Sequence, residues 1–323
     1  MVNAAAEYDA AVRRSVVSAV AGAALSLAVL LTVLGVGDDP DKLPNWQALI
    51  LGLVQGATEL LPISSSGHLI IVPWLGDWDY LKADDAFNQT FDVALHLGTL
   101  VAVVAFFWHD LAALVVAWIG TLRSRSIRTT QGRIAWVVVA ATIPAGLIGW
   151  AFEDVIADRL GEPWQIAICL AVFGLLLGWA DRRPTSRGLG DLTIRQGLAV
   201  GLAQSLALMP GVSRSGITIT AGRFLGLDRD SAARFSFLLL VPITFAAVVF
   251  KGLTDVVLAD LPGGMAGPFA VGVLAALGSG LLAIVWLLGY VRTHNYDLFV
   301  LYRLIAAAII VLLIVTGVRE ATF

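Results

Sequence analysis

The sequence contains one cysteine, Cys169, among its 323 residues. A single thiol cannot close an internal disulfide or supply a cysteine-based metal site, so both are excluded and packing is its expected role. Charged residues are also scarce, at 14% of the chain, whereas soluble domains average about 25%. The net charge of −3 comes with no basic face that would follow a phosphate backbone, so no nucleic-acid partner is expected.

Hydrophobic residues make up 58% of the chain and form long runs separated by short polar loops. A helix of about 20 apolar residues crosses the hydrocarbon core of a bilayer. The long, mostly apolar runs that predict such helices are Ser15–Val36, Phe91–Ile119, Ile134–Phe152, Trp164–Ala180, Phe235–Phe250, Phe269–Tyr290 and Leu298–Val318. In the second of these runs, His109 and Asp110 are expected near the far end or at a kink. The predicted fold class is therefore an all-α polytopic integral membrane protein.

One further stretch, Leu51–Ile71, is apolar at both ends and polar in the middle. Its polar residues and helix breakers are Gln55, Thr58, Glu59, Pro62, Ser64, Ser65, Ser66, Gly67 and His68. Backbone groups in hydrocarbon must be satisfied internally, yet Pro62 disfavours helix in the residue before it and the serines favour local turns. The stretch therefore predicts a re-entrant helical hairpin whose polar tip is buried in protein. An ionisable residue at that depth is a candidate functional residue.

The stretch Ala199–Thr220 repeats this pattern in the second half of the chain. Aligned without gaps, Gly52, Leu53, Gln55, Ser64, Ser66 and Gly67 match Gly201, Leu202, Gln204, Ser213, Ser215 and Gly216 at one constant offset. Arg214 and Ile217 take the places of Ser65 and His68. Repeats with broken helices are common in membrane proteins whose site lies between the halves. The alternative is two ordinary small-residue packing contacts, which would not require Glu, His and Arg at the breaks.

Lysine and arginine near helix ends indicate the cytoplasmic side of a membrane protein. With the N-terminus inside, the cytoplasmic arginines are Arg13, Arg14, Arg123, Arg125, Arg128, Arg182, Arg183, Arg187, Arg229, Arg234, Arg292 and Arg303. The first hairpin then enters from outside, and the loop Asp77–Asp85 is external. Because an odd number of spans separates the hairpins, the second enters from inside. The repeat is then inverted, and the two polar tips meet near the bilayer midplane.

The residue types at the first tip suit acid–base or metal chemistry. Gln55 and Glu59 are four residues apart and share a helical face. Glu59 can act as a general base, bind a divalent cation or orient His68. His68 can act as a nucleophile or a general acid. The break at Pro62 allows the Glu59 and His68 side chains to face one cavity.

Arg214 adds a permanently charged guanidinium whose forked geometry matches that of phosphate oxygens. The two tips together are therefore predicted to form a phosphate site. The hydroxyl donors beside it and at the helix start of the first tip are Ser64, Ser65, Ser66, Ser213, Ser215 and Thr218. Structural alternatives remain open for the ionisable residues. Glu59 and Arg214 can pair only to hold the bundle together, and His68 can simply be hydrogen-bonded inside it. For His96, an internal hydrogen bond and a role in the site are equally consistent with the sequence.

Two motifs carry a resemblance to a known family. QGATELLPISSSGH at Gln55–His68 and PGVSRSGITIT at Pro210–Thr220 resemble the two signature motifs of the undecaprenyl-diphosphate phosphatase family of the bacitracin-resistance type. FSFLLLVP at Phe235–Pro242 resembles a further run characteristic of that family. The resemblance extends from Trp46 to the C-terminus.

The resemblance implies a hydrolase that converts undecaprenyl diphosphate to undecaprenyl phosphate and inorganic phosphate, recycling the lipid carrier for peptidoglycan and other cell-wall polymers. It implies a catalytic set of Glu59, Ser65, His68 and Arg214, with Gln55, Ser64, Ser66, Ser213, Ser215 and Thr218 binding substrate. It also implies dependence on a divalent cation, Mg²⁺ or Ca²⁺, with Glu59 as the candidate metal ligand. Whether a serine or His68 attacks phosphorus stays open.

The resemblance further implies a multi-pass protein of the bacterial plasma membrane, with a cytoplasmic N-terminus and a site that opens to the outer face. The expected partners are the lipid substrate, membrane lipid and, as a homodimer, a second copy of the chain. Gln55 departs from the glutamate that is commoner at its position, which removes a charge. The competing class is a lipid-phosphate transporter, flippase or channel on the same plan, which would not need a serine–histidine–arginine cluster.

The domain organisation predicted from these features has two parts. Residues 1–45 form a lead and an extra transmembrane helix, and residues 46–323 form the membrane phosphatase domain. Within that domain the first half is 46–180, with its hairpin at 46–75. The second half is 195–318, with its hairpin at 196–224.

Overall fold

The computed structural model describes residues 21–22, 43–78, 85–152, 159–251 and 266–322. Its α-helices are α1 (Asn45–Leu60), α2 (Ser65–Gly76), α3 (Asp85–Phe106), α4 (Trp108–Ser124), α5 (Thr130–Ala151), α6 (Pro163–Asp181), α7 (Ile194–Ser205), α8 (Arg214–Phe224), α9 (Arg229–Lys251), α10 (Ala266–Tyr290) and α11 (Asp297–Val315). Short 3-10 helices lie at Leu189–Asp191 and Leu206–Leu208, and the described ranges contain no strand. The predicted helix Ser15–Val36 lies outside these residues apart from Ala21 and Gly22, as does most of the loop Asp77–Asp85.

Five of these helices, α5, α6, α9, α10 and α11, are long and apolar enough to cross a membrane. Helices α3 and α4 together form a sixth candidate span, bent by 81° at a break that contains Phe107. His109 and Asp110 lie in the first turn of α4, so of their two predicted locations the kink is correct. The chain is thus an all-α polytopic membrane protein, as the composition predicts.

The first hairpin breaks where the sequence predicts. Helix α1 ends at Leu60, and α2 begins at Ser65 after a short turn. Ser64 is the residue before α2, and its side-chain Oγ accepts a hydrogen bond from the Gly67 N–H at 3.3 Å. Its φ of 77° lies in the left-handed region, which is costly for any residue with a Cβ. Strain of this kind persists only where the surrounding structure enforces it.

The second hairpin repeats this turn. Helix α7 ends at Ser205 and α8 begins at Arg214. Ser213 precedes α8 with a φ of 73°, and its Oγ accepts from the Gly216 N–H at 3.1 Å. The same rare backbone conformation and the same cap therefore occur at matched positions of the two stretches, which supports the repeat interpretation. The inverted orientation of the two hairpins relative to the membrane stays a prediction.

Glycines bring the first helix of each hairpin close to a spanning helix from the other half of the chain. On α1, a Cβ at Gly52 would lie 2.3 Å from the Gly272 carbonyl oxygen of α10. On α7, a Cβ at Gly201 would lie 2.5 Å from the Ala141 carbonyl oxygen of α5. Both contacts exclude any larger residue. The small-residue packing considered above is therefore real, and it coexists with the polar tips instead of replacing them.

The two arginine-rich loops of the sequence, Thr121–Arg133 and Asp181–Arg195, lie at the same end of the bundle, as the arginine distribution predicts. Arg133, the last residue of the first loop, donates to the Gly190 carbonyl oxygen in the second. At this end Arg229 makes two hydrogen bonds with Asp181, at 2.8 and 3.1 Å. At the other end, Arg319 pairs with Asp77 at 3.2 Å, beside the exit of the first hairpin. Which end faces the cytoplasm stays a prediction.

Candidate active site

The two hairpin tips contact each other directly. The Gly211 N–H of the second break donates to Ser64 Oγ at 3.1 Å. Ser215 Oγ, at the start of α8, donates to the Leu61 carbonyl oxygen of the first break at 2.9 Å. Two of the predicted substrate-binding serines thus join the tips by satisfying backbone groups. The sequence predicts that the tips meet, and in the structure they do.

Glu59 is at the centre of the site where the tips meet. It lies in the last turn of α1, and only 6% of its side chain is exposed. Gln55, one turn earlier, donates from Nε2 to Glu59 Oε2 at 3.5 Å, so the shared helical face is confirmed. From the other side of the break, the Ser65 hydroxyl donates to the same Oε2 atom. A carboxylate that accepts from a serine hydroxyl is arranged to take its proton.

Arg214 brings the second tip to this carboxylate. Its Nη2 lies 2.9 Å and its Nε 3.3 Å from Glu59 Oε1, and its side chain is 13% exposed. The remaining arm, Nη1, donates to the Ser236 carbonyl oxygen of α9 at 2.9 Å. Ser236 lies in the Phe235–Pro242 run, and the resemblance of that run was the only sequence signal for this contact. Thr218 binds the same helix, with its Oγ1 2.8 Å from Ser236 Oγ.

His68 makes its hydrogen bonds with residues other than Glu59. Its Nδ1 is 2.6 Å from the Ser64 carbonyl oxygen, which can only accept, so Nδ1 carries the proton. Its Nε2 is 2.6 Å from the Tyr302 hydroxyl of α11, and the two rings stack. Within the described part of the chain, no hydrogen bond or ion pair joins His68 to Glu59. The two side chains are therefore not in direct contact, and the expected shared cavity stays a prediction.

His96, on α3, is the histidine that faces Glu59. Its Nε2 lies 3.6 Å from Glu59 Oε2, which is longer than a hydrogen bond. Its Nδ1 is 2.7 Å from the Asp92 carbonyl oxygen, so Nδ1 carries the proton and, in the neutral ring, Nε2 presents a lone pair to the carboxylate. The sequence alone does not decide whether His96 has a role in the site, because nothing in the α3 stretch indicates which way its side chain points.

Arg303 is a residue that the sequence misplaced. The positive-inside rule predicts that it belongs to the cytoplasmic side, but its side chain is fully buried inside the bundle. Its guanidinium binds backbone carbonyl oxygens of both hairpin breaks, including those of Pro62 and Gly211. The count of arginines near helix ends assumes that each one reaches an aqueous interface, and Arg303 does not.

The donors available to a cation at this site are few. In the ranges that the structure describes, no group of three or more His, Cys, Asp or Glu residues converges. Glu59 offers carboxylate oxygens, and the Gln55 Oε1 atom is buried without a hydrogen-bond partner among the described residues. The Nε2 atom of His96 faces the same carboxylate. These residues suit a cation that also takes oxygen ligands from a bound phosphate.

Comparisons with known proteins identify the family of this chain. The sequence matches the family model described as Bacitracin resistance protein BacA over residues 48–309. It is similar to a protein named undecaprenyl-diphosphatase from Moorella thermoacetica, at 47% identity over 82% of this chain and 96% of that one. Proteins of the same name from Thermomicrobium roseum and Pelotomaculum thermopropionicum are 46% and 43% identical, over 85% and 83% of this chain and 99% and 96% of theirs.

Proposed function

Since the chain belongs to the bacitracin resistance protein BacA family, we propose that it hydrolyses undecaprenyl diphosphate to undecaprenyl phosphate and inorganic phosphate. The observation that carries this proposal is the network of Ser65, Glu59 and Arg214, which joins a hydroxyl, a carboxylate and a guanidinium across two hairpin tips. Such a set supplies a nucleophile, a base and an anion ligand. A transporter would need only the last of these.

Ser65 is the nucleophile in this proposal, activated by Glu59. The Glu59 carboxylate takes the Ser65 proton while Oγ forms a bond to the terminal phosphorus. The bond between that phosphorus and the bridging oxygen breaks, its electron pair goes to the bridging oxygen, and undecaprenyl phosphate leaves. Water then hydrolyses the phosphoserine and releases inorganic phosphate. His68 is less suited to attack because both of its ring nitrogens have partners.

Arg214 stabilises the charge that develops on the transferred phosphoryl group. Its planar fork contacts two phosphate oxygens at once, which a lysine ammonium does not. Helices α2 and α8 both begin at the tips, so two positive helix ends face the same region. This arrangement favours an anion over a neutral lipid head group.

A divalent cation, Mg²⁺ or Ca²⁺, is part of the proposal. The donors fit one, because Glu59 and the unpartnered Gln55 Oε1 are hard oxygen ligands and such ions complete their shell with phosphate oxygens and water. When bound, the cation neutralises charge on the diphosphate. Gln55 would supply a carbonyl oxygen where the commoner glutamate would supply a charge, which would weaken the binding without removing a ligand.

The orientation and the assembly are also proposals. The shared end of the two arginine loops supports a cytoplasmic placement for that end by the positive-inside rule, with the N-terminus inside and the active site opening to the outer face. A cysteine placed at Ser124 should therefore resist membrane-impermeant labelling from outside. A homodimer in the plasma membrane is the assembly proposed, and its test is the mass of the detergent-purified particle.

The activity is tested by phosphate release from undecaprenyl diphosphate with detergent-purified protein. Turnover that stops on adding a chelator and returns with Mg²⁺ or Ca²⁺ is expected. A flippase only moves lipid between the two leaflets of a membrane, so it would release no phosphate in a detergent micelle. Absence of phosphate release would therefore reject the hydrolase. With substrate labelled in the terminal phosphate, acid quenching should trap label on the wild type and on His68→Ala but none on Ser65→Ala. Label that persists in Ser65→Ala would reject serine as the nucleophile.

A further inference from the structure

Arg303 has a role in this site that the sequence motifs do not include. It lies within α11, a helix that is otherwise apolar over most of its length. Its side chain has 0% exposure. Every hydrogen bond of its guanidinium goes to a backbone carbonyl oxygen, at distances from 2.9 to 3.2 Å. A buried cation normally needs a charged partner or full hydrogen bonding, and here the carbonyl groups supply the hydrogen bonding.

The carbonyl groups that Arg303 binds come from three separate segments. Pro62 belongs to the first hairpin break, and Gly211 and Val212 belong to the second. Cys169 and Leu170 belong to α6. One guanidinium therefore ties both breaks to each other and to a spanning helix. Helix interiors use their own carbonyl groups, so it is at the breaks that an outside donor is needed most.

The bound carbonyl groups adjoin the reacting side chains. Pro62 lies midway between Glu59 and Ser65 in sequence, and Val212 lies two residues before Arg214. A shift of either break therefore moves the base and the nucleophile relative to the guanidinium that binds phosphate. A misplacement of about 1 Å is enough to cost on the order of 10²-fold in rate.

The chain leaves space for this side chain on α6. A Cβ at Gly174 would lie 3.2 Å from Arg303 Cβ and 3.3 Å from its Nε, and its three nearest neighbouring atoms all belong to Arg303. One turn further along the same helix, a Cβ at Gly178 would lie 3.2 Å from Nη1 of Arg182, an exposed arginine, and 3.3 Å from Cγ2 of Val300 on α11. The two glycines therefore provide a matched pair of sites on the same α6–α11 interface, and of the two only a Cβ at Gly174 would have Arg303 as its nearest neighbour.

We propose that Arg303 is a positioning residue for phosphate hydrolysis, which holds the two hairpin breaks in the spacing that sets Glu59 and Ser65 against Arg214. The expected effect on turnover rests on the proposed function, whereas the connection that Arg303 makes between the two breaks does not. An arginine is required because its planar guanidinium carries five N–H donors in a fixed fork, whereas a lysine carries three at one point. Arg303→Lys thus keeps the charge and loses the connection between segments.

The test compares Arg303→Lys with Arg223→Lys. Arg223 is also buried, at 3% exposure, and also binds carbonyl oxygens, those of Leu227, Asp181 and Arg183, but it lies at the far end of α8. We expect both variants to lose thermal stability. Per folded molecule, Arg303→Lys should lose on the order of 10²-fold in kcat with KM changed by less than about threefold, because the charge that attracts the diphosphate remains. Arg223→Lys should keep the wild-type kcat.

A second readout is independent of any substrate. Hydrogen–deuterium exchange should speed up in Arg303→Lys in the peptides that cover both breaks, and in Arg223→Lys it should not. If the wild type releases no phosphate, the proposed function fails while this exchange result still tests the connection. If the wild type is active and the breaks of Arg303→Lys exchange as in the wild type, the positioning role fails alone.

Two further outcomes would overturn the proposal. Wild-type kcat in Arg303→Lys would mean that only the charge is used, and a turnover loss that merely follows the folded fraction would mean a general structural role. If Arg303→Lys does not fold, Gly174→Ala displaces the arginine without removing it, with Gly178→Ala as its control. A loss of kcat in the first and none in the second would support the proposal, and equal kcat values would reject it.

Discussion

The two hairpin tips share a backbone and differ in chemistry. Ser64 and Ser213 have the same left-handed conformation, make the same cap and occupy matched positions. At the positions around them, however, Glu59 is matched by Leu208, and Ser65 is matched by Arg214. A repeated turn therefore presents a carboxylate and a hydroxyl from one tip and a guanidinium from the other.

This difference shows how a duplicated element can form one asymmetric site. If the tips were identical, two carboxylates or two guanidinium groups would face each other, and like charges at that depth are strongly unfavourable. With opposite charges, Glu59 and Arg214 neutralise each other at 2.9 Å. The repeat determines the geometry, and the residues that differ at matched positions determine the chemistry. Substitutions at the two tips can therefore test which residues carry the chemistry.

Glu59→Gln should reduce turnover more than any other single substitution at the two tips. It keeps the shape of the side chain but cannot take a proton from Ser65, and losing a general base costs on the order of 10³-fold in turnover. The matched control on the other tip is Leu208→Met, which conserves volume and should keep wild-type turnover. Phosphate release per folded molecule measures both. A loss in Glu59→Gln that only follows folded yield would support the structural pairing with Arg214 instead.

Arg214→Lys should have the next largest effect, although it keeps the charge. Losing one arm of the fork removes transition-state contacts of about 3–4 kcal/mol, or on the order of 10²–10³-fold in kcat. Arg223→Lys, on the same helix α8, controls for the loss of a buried guanidinium. Single-turnover kinetics separate the chemical step from product release. Turnover of Arg214→Lys close to that of the wild type would show that a point charge is sufficient at the second tip.

Removing side chains in pairs should separate the two faces of the first tip. Glu59→Ala combined with Ser65→Ala should be little worse than either variant alone, because groups that act as a unit are not additive. His68→Ala should cost about 10-fold, and its effect should multiply with that of Glu59→Ala, because the two side chains bind different partners among the described residues. Phosphate release from the double variants decides this. If the losses of turnover caused by Glu59→Ala and His68→Ala were not additive, that result would support the shared cavity that the sequence predicts.

Gln55 and Gln204 provide the finest comparison, because both amide Oε1 atoms are buried without a hydrogen-bond partner in the described ranges. Only Gln55 lies beside a carboxylate. Gln55→Met should raise the cation concentration needed for half-maximal turnover by about 3- to 10-fold, as expected for the loss of one neutral oxygen ligand. Gln204→Met should leave that concentration unchanged. Binding of Mn²⁺ followed by electron paramagnetic resonance gives a readout without turnover, and equal affinities in the two variants would exclude Gln55 as a ligand.

Several features of this protein follow from the sequence because their causes are local. Pro62, the serines after it and the glycine that follows break a helix whatever surrounds them, so the position of the first turn could be predicted. The match of Ser213 to Ser64 then located the second turn. The membrane class follows from composition, and the residue types at the tips follow from the motifs. Each of these depends on neighbours along the chain.

The partners of the buried polar side chains were decided only by the tertiary structure. The sequence predicts that His68 faces the same cavity as Glu59. In the structure, His68 binds Tyr302, and His96 is the histidine that faces the carboxylate. It also assigned Arg303 to a membrane surface, whereas the side chain ties both tips together. The position of a residue in a predicted helix indicates its depth in the membrane. Its partner, however, depends on which distant helix packs against the face of the helix that carries the residue. In hydrocarbon every polar group must find such a partner, so the packing of the helices, and not the local pattern, selects the contacts of the site.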